Sequence, residues 1–208
     1  MIRDLTRGNI LKNLILFSLP FMAANLMNTL YTLVDLAVIG NYLDSAALSA
    51  ASIGGQLTML LYSMALGLGN GGQILISQYV GAKRREELSA TIGTLITLGA
   101  GLGLVLTVFG LVFARPLLSL LHPDASVFEN TVSYFVVCCT GLIPYYIFNV
   151  VSAVFRGLGD SRTPFLISAV TAGMNIILDL LFLVVLHRGV AGAALATVIS
   201  QFCSCAFA

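Results

Sequence analysis

Residues 173–186 read GMNIILDLLFLVVL, an apolar run interrupted by a single acid. Asp179 follows Ile176, Ile177 and Leu178 and precedes Leu180, Leu181 and Phe182. Extended back to Thr163, the run is long enough to cross a bilayer, which takes ~20 residues. An ionisable side chain at the centre of a bilayer costs at least ~2.5–3.5 kcal/mol, so it defaults to a functional hypothesis. The stretch therefore argues for a membrane helix and for a functional acid within it.

The whole chain agrees with the first half of that statement. Its 208 residues are 58% hydrophobic and 9% charged, whereas soluble domains carry about 25% charged residues. Mean hydropathy is +0.99. So few charges cannot cover a soluble surface, and the fold class is an all-α polytopic membrane protein. The net charge of +1 comes without a basic face interleaved with aromatics, which excludes a nucleic-acid partner. The opening MIRDLTRGNILKNLILFSLP is basic and then apolar, like a signal peptide. Its apolar run passes Pro20 without a small-residue cleavage site, so it reads as a retained first span. The four cysteines, Cys138, Cys139, Cys203 and Cys205, lie in apolar runs. Their C-C and C-x-C spacings lack the His or second pair of a zinc site. They read as small apolar side chains, and no cofactor is expected.

Six spans are expected, near 13–43, 45–82, 88–114, 126–155, 163–186 and 190–208. The second is long enough for two crossings, but the basic residues decide for one. Arg3, Arg7 and Lys12 precede span 1, Lys83, Arg84 and Arg85 follow span 2, and Arg156 and Arg162 separate spans 4 and 5. Only Arg115 and Arg188 fall on the other side. That bias places the N-terminus in the cytoplasm and the chain in the cell's inner (plasma) membrane. Pro20 and Pro144 sit inside spans, where each removes a backbone donor and marks a kink or a hinge.

Two acids, Asp35 and Asp179, fall inside spans. At 1.5 Å per residue, Asp179 lies roughly 10 Å below the outer end of span 5, and Asp35 roughly 12 Å below that of span 1. Asn175 is one turn from Asp179 on the same helix face. Thr197 on span 6 comes to the same level. Carboxylates, an amide oxygen and a hydroxyl are hard ligands suited to a cation such as Na⁺. Two close carboxylates also make a site for one proton. Thr and Asn bridging helices by hydrogen bonds is the structural alternative.

RGLGDSRTP (156–164) contains GxGD, a signature of intramembrane aspartyl proteases, which need two membrane-embedded aspartates. Its basic flanks place Asp160 in a loop instead. The G-x-S-G motif of a rhomboid-type serine protease is absent, and His122 and His187 lie in outer loops. No enzymatic activity is expected. The stretch resembles instead the loop between helices 4 and 5 of multidrug and toxic compound extrusion (MATE) transporters, of the MOP superfamily. FSLPFMAANLMNTLYTLVDLAVIG resembles that family's first helix, MALGLGNGGQILISQYVGAKRREE the end of its second, and MNIILDLLF…GVAGAALATVISQ its fifth and sixth. The resemblance implies a secondary active exporter of organic, often cationic compounds, coupled to H⁺ or Na⁺. It assigns the coupling site to Asp35, Asn175, Asp179 and Thr197, the set that the depths also gather.

Transporters of this family have two six-helix lobes, so this chain corresponds to the N-terminal one. An even number of spans keeps two lobes parallel about an axis along the membrane normal. The chain ends in apolar sequence around Cys203, Cys205 and Phe207, so it is expected to pair with a second lobe in cis or with a copy of itself. Asn25, Asn28, Gln56 and Asn149 are the polar residues expected to line the substrate cavity between lobes. A flippase of lipid-linked precursors is the alternative within the superfamily. It would need basic residues in the central cavity, and the six spans contain none.

Overall fold

The computed structural model describes residues 10–208. Within the first helix, the side chains of Ile10, residues 12–14, Ala24, Asn28 and Tyr31 lie outside that description, as do Arg3, Asp4 and Arg7. Helix α1 spans Ile10–Tyr42, α2 Ser45–Gly81, α3 Arg85–Ser119, α4 Ala125–Thr140, α5 Leu142–Gly157, α6 Arg162–Leu180 and α7 Gly189–Phe207. A π-helical turn, Leu181–Val185, continues α6. No strand occurs among the described residues. Five helical segments are long and apolar enough to cross a membrane, and α4 with α5 forms a sixth, bent by 47° at the join. The chain is a multi-pass membrane protein, and its lipid-facing surface is a belt of exposed Leu, Ile, Val, Phe and Met. We call the end where α1 begins the near end and the end carrying the α1–α2, α3–α4 and α6–α7 connections the far end.

Residues 45–81 form one unbroken helix, as the distribution of basic residues requires. Asp44 starts it: its Oδ1 accepts from the Ala47 N–H at 2.8 Å, satisfying one of the donors a helix start leaves unpaired. Helix α3 runs five residues past Ala114, where the sequence placed the end of span 3, and so includes Arg115 and Pro116. Arg115 extends that helix because it finds a partner: both guanidinium ends meet the Glu129 carboxylate at 2.8 Å. Arg156 likewise belongs to the last turn of α5 and not to a solvated loop. It is half-buried, donates Nε–H to Gln73 Oε1 at 2.8 Å, and lies over the Phe21 ring.

The bend in the fourth span has a local cause. In a continuous helix Pro144 would have to donate to the Thr140 carbonyl, and proline has no N–H. The helix breaks at Gly141 and restarts with Pro144 in its first turn, where no donor is needed. Pro20, by contrast, sits inside the continuous α1. Three residues before it, the Phe17 carbonyl accepts from Ser161 Oγ at 3.0 Å, tying α1 to the α5–α6 connection.

The interior is built around α2, which packs on α3, α4 and α5. Small residues set the spacing, as is common between membrane helices. A Cβ on Gly103 would lie 3.1 Å from the Ile143 Cα, and one on Gly69 would touch Ala153. Tyr146 on α5 is fully buried, and its hydroxyl donates to the Leu61 carbonyl of α2 at 2.6 Å. Tyr146→Phe is expected to lose about 0.5–1.5 kcal/mol of stability, the net worth of such a bond. The check is the thermal unfolding midpoint in detergent; an unchanged midpoint would show that the bond contributes nothing.

Candidate cation site

Helix α6 lies between α1 and α7, and the polar side chains of these three helices meet in the half of the molecule towards the far end. Asp179 is fully buried, Asn175 is 1% exposed and Asp35 is 6% exposed. Thr197 is half-buried. The 3.6-residue period puts Asn175 and Asp179 on one face of α6. The Asn175 amide, oriented to suit its neighbours, donates from Nδ2 to Asp179 Oδ2 at 2.8 Å, and its oxygen accepts from the Thr197 backbone N–H at 3.2 Å. Asn175 thus ties α6 to α7. The Asp35 carboxylate of α1 is close enough for its charge to act on Asp179. All four residues predicted from the sequence fall in this one region.

Two oxygens in the cluster have no partner. Asp35 Oδ1 and Asp179 Oδ1 are both buried and both lack a hydrogen bond. A buried polar atom without a partner costs roughly 1–3 kcal/mol, and more when charged. A proton shared by the pair, or a small cation between the two oxygens, would remove that cost. The donor set suits a hard cation, because both orphaned atoms are carboxylate oxygens. Asn175, as oriented here, orders Asp179 through its N–H and would have to turn over to offer its oxygen.

Helix α4 reaches the neighbourhood of the site through Tyr134 and Cys138, which share a packed group with Ile39 and Leu183. Cys138 is 1% exposed; it lies within hydrogen-bonding reach of Tyr134 and Thr58 and feels the Asp35 charge. Tyr134 and Cys138 are one turn apart, but the apolar run that holds them gives no sign of which face turns to Asp35. All four cysteines are free.

The residues predicted for a substrate cavity are less well gathered. Asn25 and Gln56 are exposed on α1 and α2. Asn149 is half-buried and donates to the Tyr145 carbonyl of its own helix at 2.9 Å. The Asn28 side chain lies outside the described residues.

Asp160 is a structural residue. Its Oδ1 accepts from the backbone N–H groups of Arg162 and Thr163 at 3.0 and 3.1 Å, and its Oδ2 from Thr163 Oγ1 at 2.8 Å. Burial opposes its charge, yet the hydrogen bonds from Thr163 and Arg162 outweigh that and hold its carboxyl below the usual range. It caps the start of α6 after Gly159, whose φ of 89° favours glycine. Asp179 is nineteen residues further along, about 28 Å by helical rise. Asp160 therefore cannot act with either membrane acid on one peptide bond, and the protease arrangement is absent.

The family model MatE matches residues 20–181, which include Asp35, Asn175 and Asp179. The chain belongs to the MatE family. Among MatE relatives, the probable multidrug resistance protein YpnP of Bacillus subtilis is 33% identical over 95% of this chain and 44% of its own length. The multidrug export protein MepA of Staphylococcus aureus is 28% identical over 97% of this chain and 45% of its own. A MOP superfamily transporter from Pyrococcus furiosus superposes with a TM-score of 0.92 at 28% identity, over 98% of this chain and 45% of its own. A MATE structure in the bent conformation superposes with a TM-score of 0.91. The chain thus spans less than half the length of the MatE proteins it matches. Two of those relatives are named for multidrug resistance and export, and the superposed Pyrococcus furiosus protein is a transporter.

Proposed function

We propose that the chain is the N-terminal lobe of a secondary active multidrug exporter and that Asp35, Asn175, Asp179 and Thr197 form its cation-coupling site. The observation that carries this is the buried acid pair, two carboxylates from different helices at one depth, each with an orphaned oxygen. The pair is loaded by H⁺ or Na⁺ on one side of the membrane and discharged on the other, and organic, often cationic compounds move in exchange. The likeness to multidrug resistance and export proteins supports the substrate class. A second six-helix lobe, in the same chain or as a second copy, completes the substrate path. Uptake of a fluorescent organic cation into proteoliposomes, under separately imposed pH and Na⁺ gradients, tests the reading. Transport driven by neither gradient would overturn it.

The identity of the ion rests on the neutral ligands. Na⁺ needs oxygens beyond the two carboxylates, whereas a proton does not. If Na⁺ drives transport, Thr197→Val is expected to raise the Na⁺ concentration for half-maximal rate roughly tenfold, about 1.4 kcal/mol, with H⁺ dependence kept. An unchanged Na⁺ dependence would remove Thr197 from the ligand set.

Orientation follows from the eight-to-two division of basic residues, which favours a cytoplasmic near end in the cell's inner membrane. Ser126 at the far end and Ser89 towards the near end are both exposed. A membrane-impermeant thiol reagent added outside is expected to label Ser126→Cys and to spare Ser89→Cys. The opposite pattern would reverse the topology.

A further inference from the structure

Three helices carry the acid cluster, and each bears a fully buried apolar residue one turn nearer the far end. On α1, Ile39 follows Asp35 by four residues. On α6, Leu183 follows Asp179 by four. On α7, which runs the other way, Ala193 precedes Thr197 by four. Ile39 and Ala193 are 0% exposed and Leu183 is 1% exposed. The three belong to one packed group that also includes Ala47, Tyr134, Cys138, Val190 and Ala194. They form an apolar layer one helical turn from the acids on the far-end side.

Above that layer is a cavity of about 370 Å³, open at the far end. Its rim is polar, with Tyr42, Asp44 and Asn130, and its floor includes Ala47 and Val190. Those two residues also belong to the packed layer. The floor of the cavity is therefore packed onto the roof of the acid cluster through Ala47 and Val190. A carboxylate at the mouth of a cleft raises the local concentration of cations.

The layer also contains the one wide turn among the described residues. Leu183 sits in the π-helical segment Leu181–Val185, whose closing bond runs from the Leu186 N–H to the Leu181 carbonyl at 2.9 Å. This π turn ends α6, a place where such turns occur. A change of one residue in its register therefore shifts Leu183 by about 100° around the helix axis relative to Asp179, given 3.6 residues per turn. That rotation would swing Leu183 out of the layer without unfolding α6.

From these observations we infer that the far-end cavity is the vestibule through which the coupling cation reaches Asp35 and Asp179, and that Ile39, Leu183 and Ala193 are its gate. The inference rests on the coupling role proposed above for the acid pair. The rim draws the cation in, the apolar layer holds it out while closed, and the π turn lets Leu183 move aside. The Cys138 thiol inside the packed group and the acids one turn beyond it are then reachable from the far side only through the cavity.

Ag⁺ is a suitable probe, being a small monovalent cation that binds thiols, and Cys138 is buried within the same packed group, 1% exposed. Vesicles carrying the chain are exposed to Ag⁺ from the far side, then denatured, and free thiols are alkylated and counted by mass spectrometry. Cys138 is expected to react slowly in the parent and at least about tenfold faster in Leu183→Ala, a barrier lowered by ~1.4 kcal/mol. Cys203 and Cys205, towards the near end, should not accelerate. Asn130→Cys carrying a bulky maleimide should slow Cys138 by a similar factor, and the same adduct on Ser126→Cys should not. This second arm leaves the gate intact, so it stands even if Leu183→Ala folds poorly. Unchanged silver access with the rim blocked would overturn the route. Access is read without any transport, so an acid pair that failed to couple transport would leave the silver result standing, and the two failures are separable.

Discussion

Asp179→Asn is expected to reduce gradient-driven export to the level of empty liposomes while the chain still inserts and folds. Asn cannot take up and release a proton or bring a negative charge to a cation, so the cycle loses the step that ties ion movement to substrate movement. The side chains are nearly isosteric, and Asn is cheaper than Asp in a membrane interior. The replacement keeps an amide oxygen where the Asn175 N–H now meets Asp179 Oδ2, and one of its positions fills the site of an oxygen that has no partner. The thermal midpoint should therefore hold or rise as transport falls. Asp35→Asn is expected to behave the same way, since Asp35 Oδ1 is orphaned too. Falling transport with a falling midpoint would mean that the pair holds the helices together; full transport in either variant would mean that it does not couple.

Gly157→Ala should give the largest loss of stability from a single methyl group. Gly157 ends α5 against α2. An added Cβ there would lie 2.6 Å from Ile76 Cγ2, 2.8 Å from Ile76 Cβ and 3.0 Å from the Gln73 carbonyl oxygen. Ile76 is fully buried, and a backbone oxygen cannot swing aside like a flexible side chain. The helices must separate, which also strains the Arg156–Gln73 hydrogen bond beside them. Overpacking of this kind costs typically about 1–3 kcal/mol. Gly55→Ala is the control, because nothing lies within 4 Å of a Cβ there. Unfolding of both variants in one detergent should show the first destabilised and the second within about 0.5 kcal/mol of the parent. Equal midpoints would contradict the close α2–α5 approach.

The acid cluster was legible in the sequence because its signals are local. Asp179 stands out against its apolar neighbours, Asn175 is placed by helical period, and Asp35 and Thr197 follow from counting residues to the far ends of their helices. The single long α2 was legible from loop charges. Charge misleads where a basic residue finds a partner: Arg115 and Arg156 read as loop residues in the sequence, yet each lies within a helix beside Glu129 or Gln73. The break at Gly141 and the π turn at Leu181–Val185 each involve a shift of a few backbone hydrogen bonds. Pro144 hinted at the first, while the second leaves no mark in composition. The packing of Tyr134 and Cys138 with Ile39 and Leu183 was hidden because nothing in the sequence of α4 says which of its faces turns towards α1 and α6.

Cation uptake by the purified chain, with no substrate and no second lobe, tests the central claim most directly, because all four site residues lie in this lobe. The parent and the Asp35→Asn/Asp179→Asn double variant are titrated in detergent, with proton uptake followed at a pH electrode and Na⁺ uptake followed with radioactive sodium. The account predicts saturable uptake of one of the two ions by the parent and none at that site in the double variant. Equal uptake by parent and variant would contradict it.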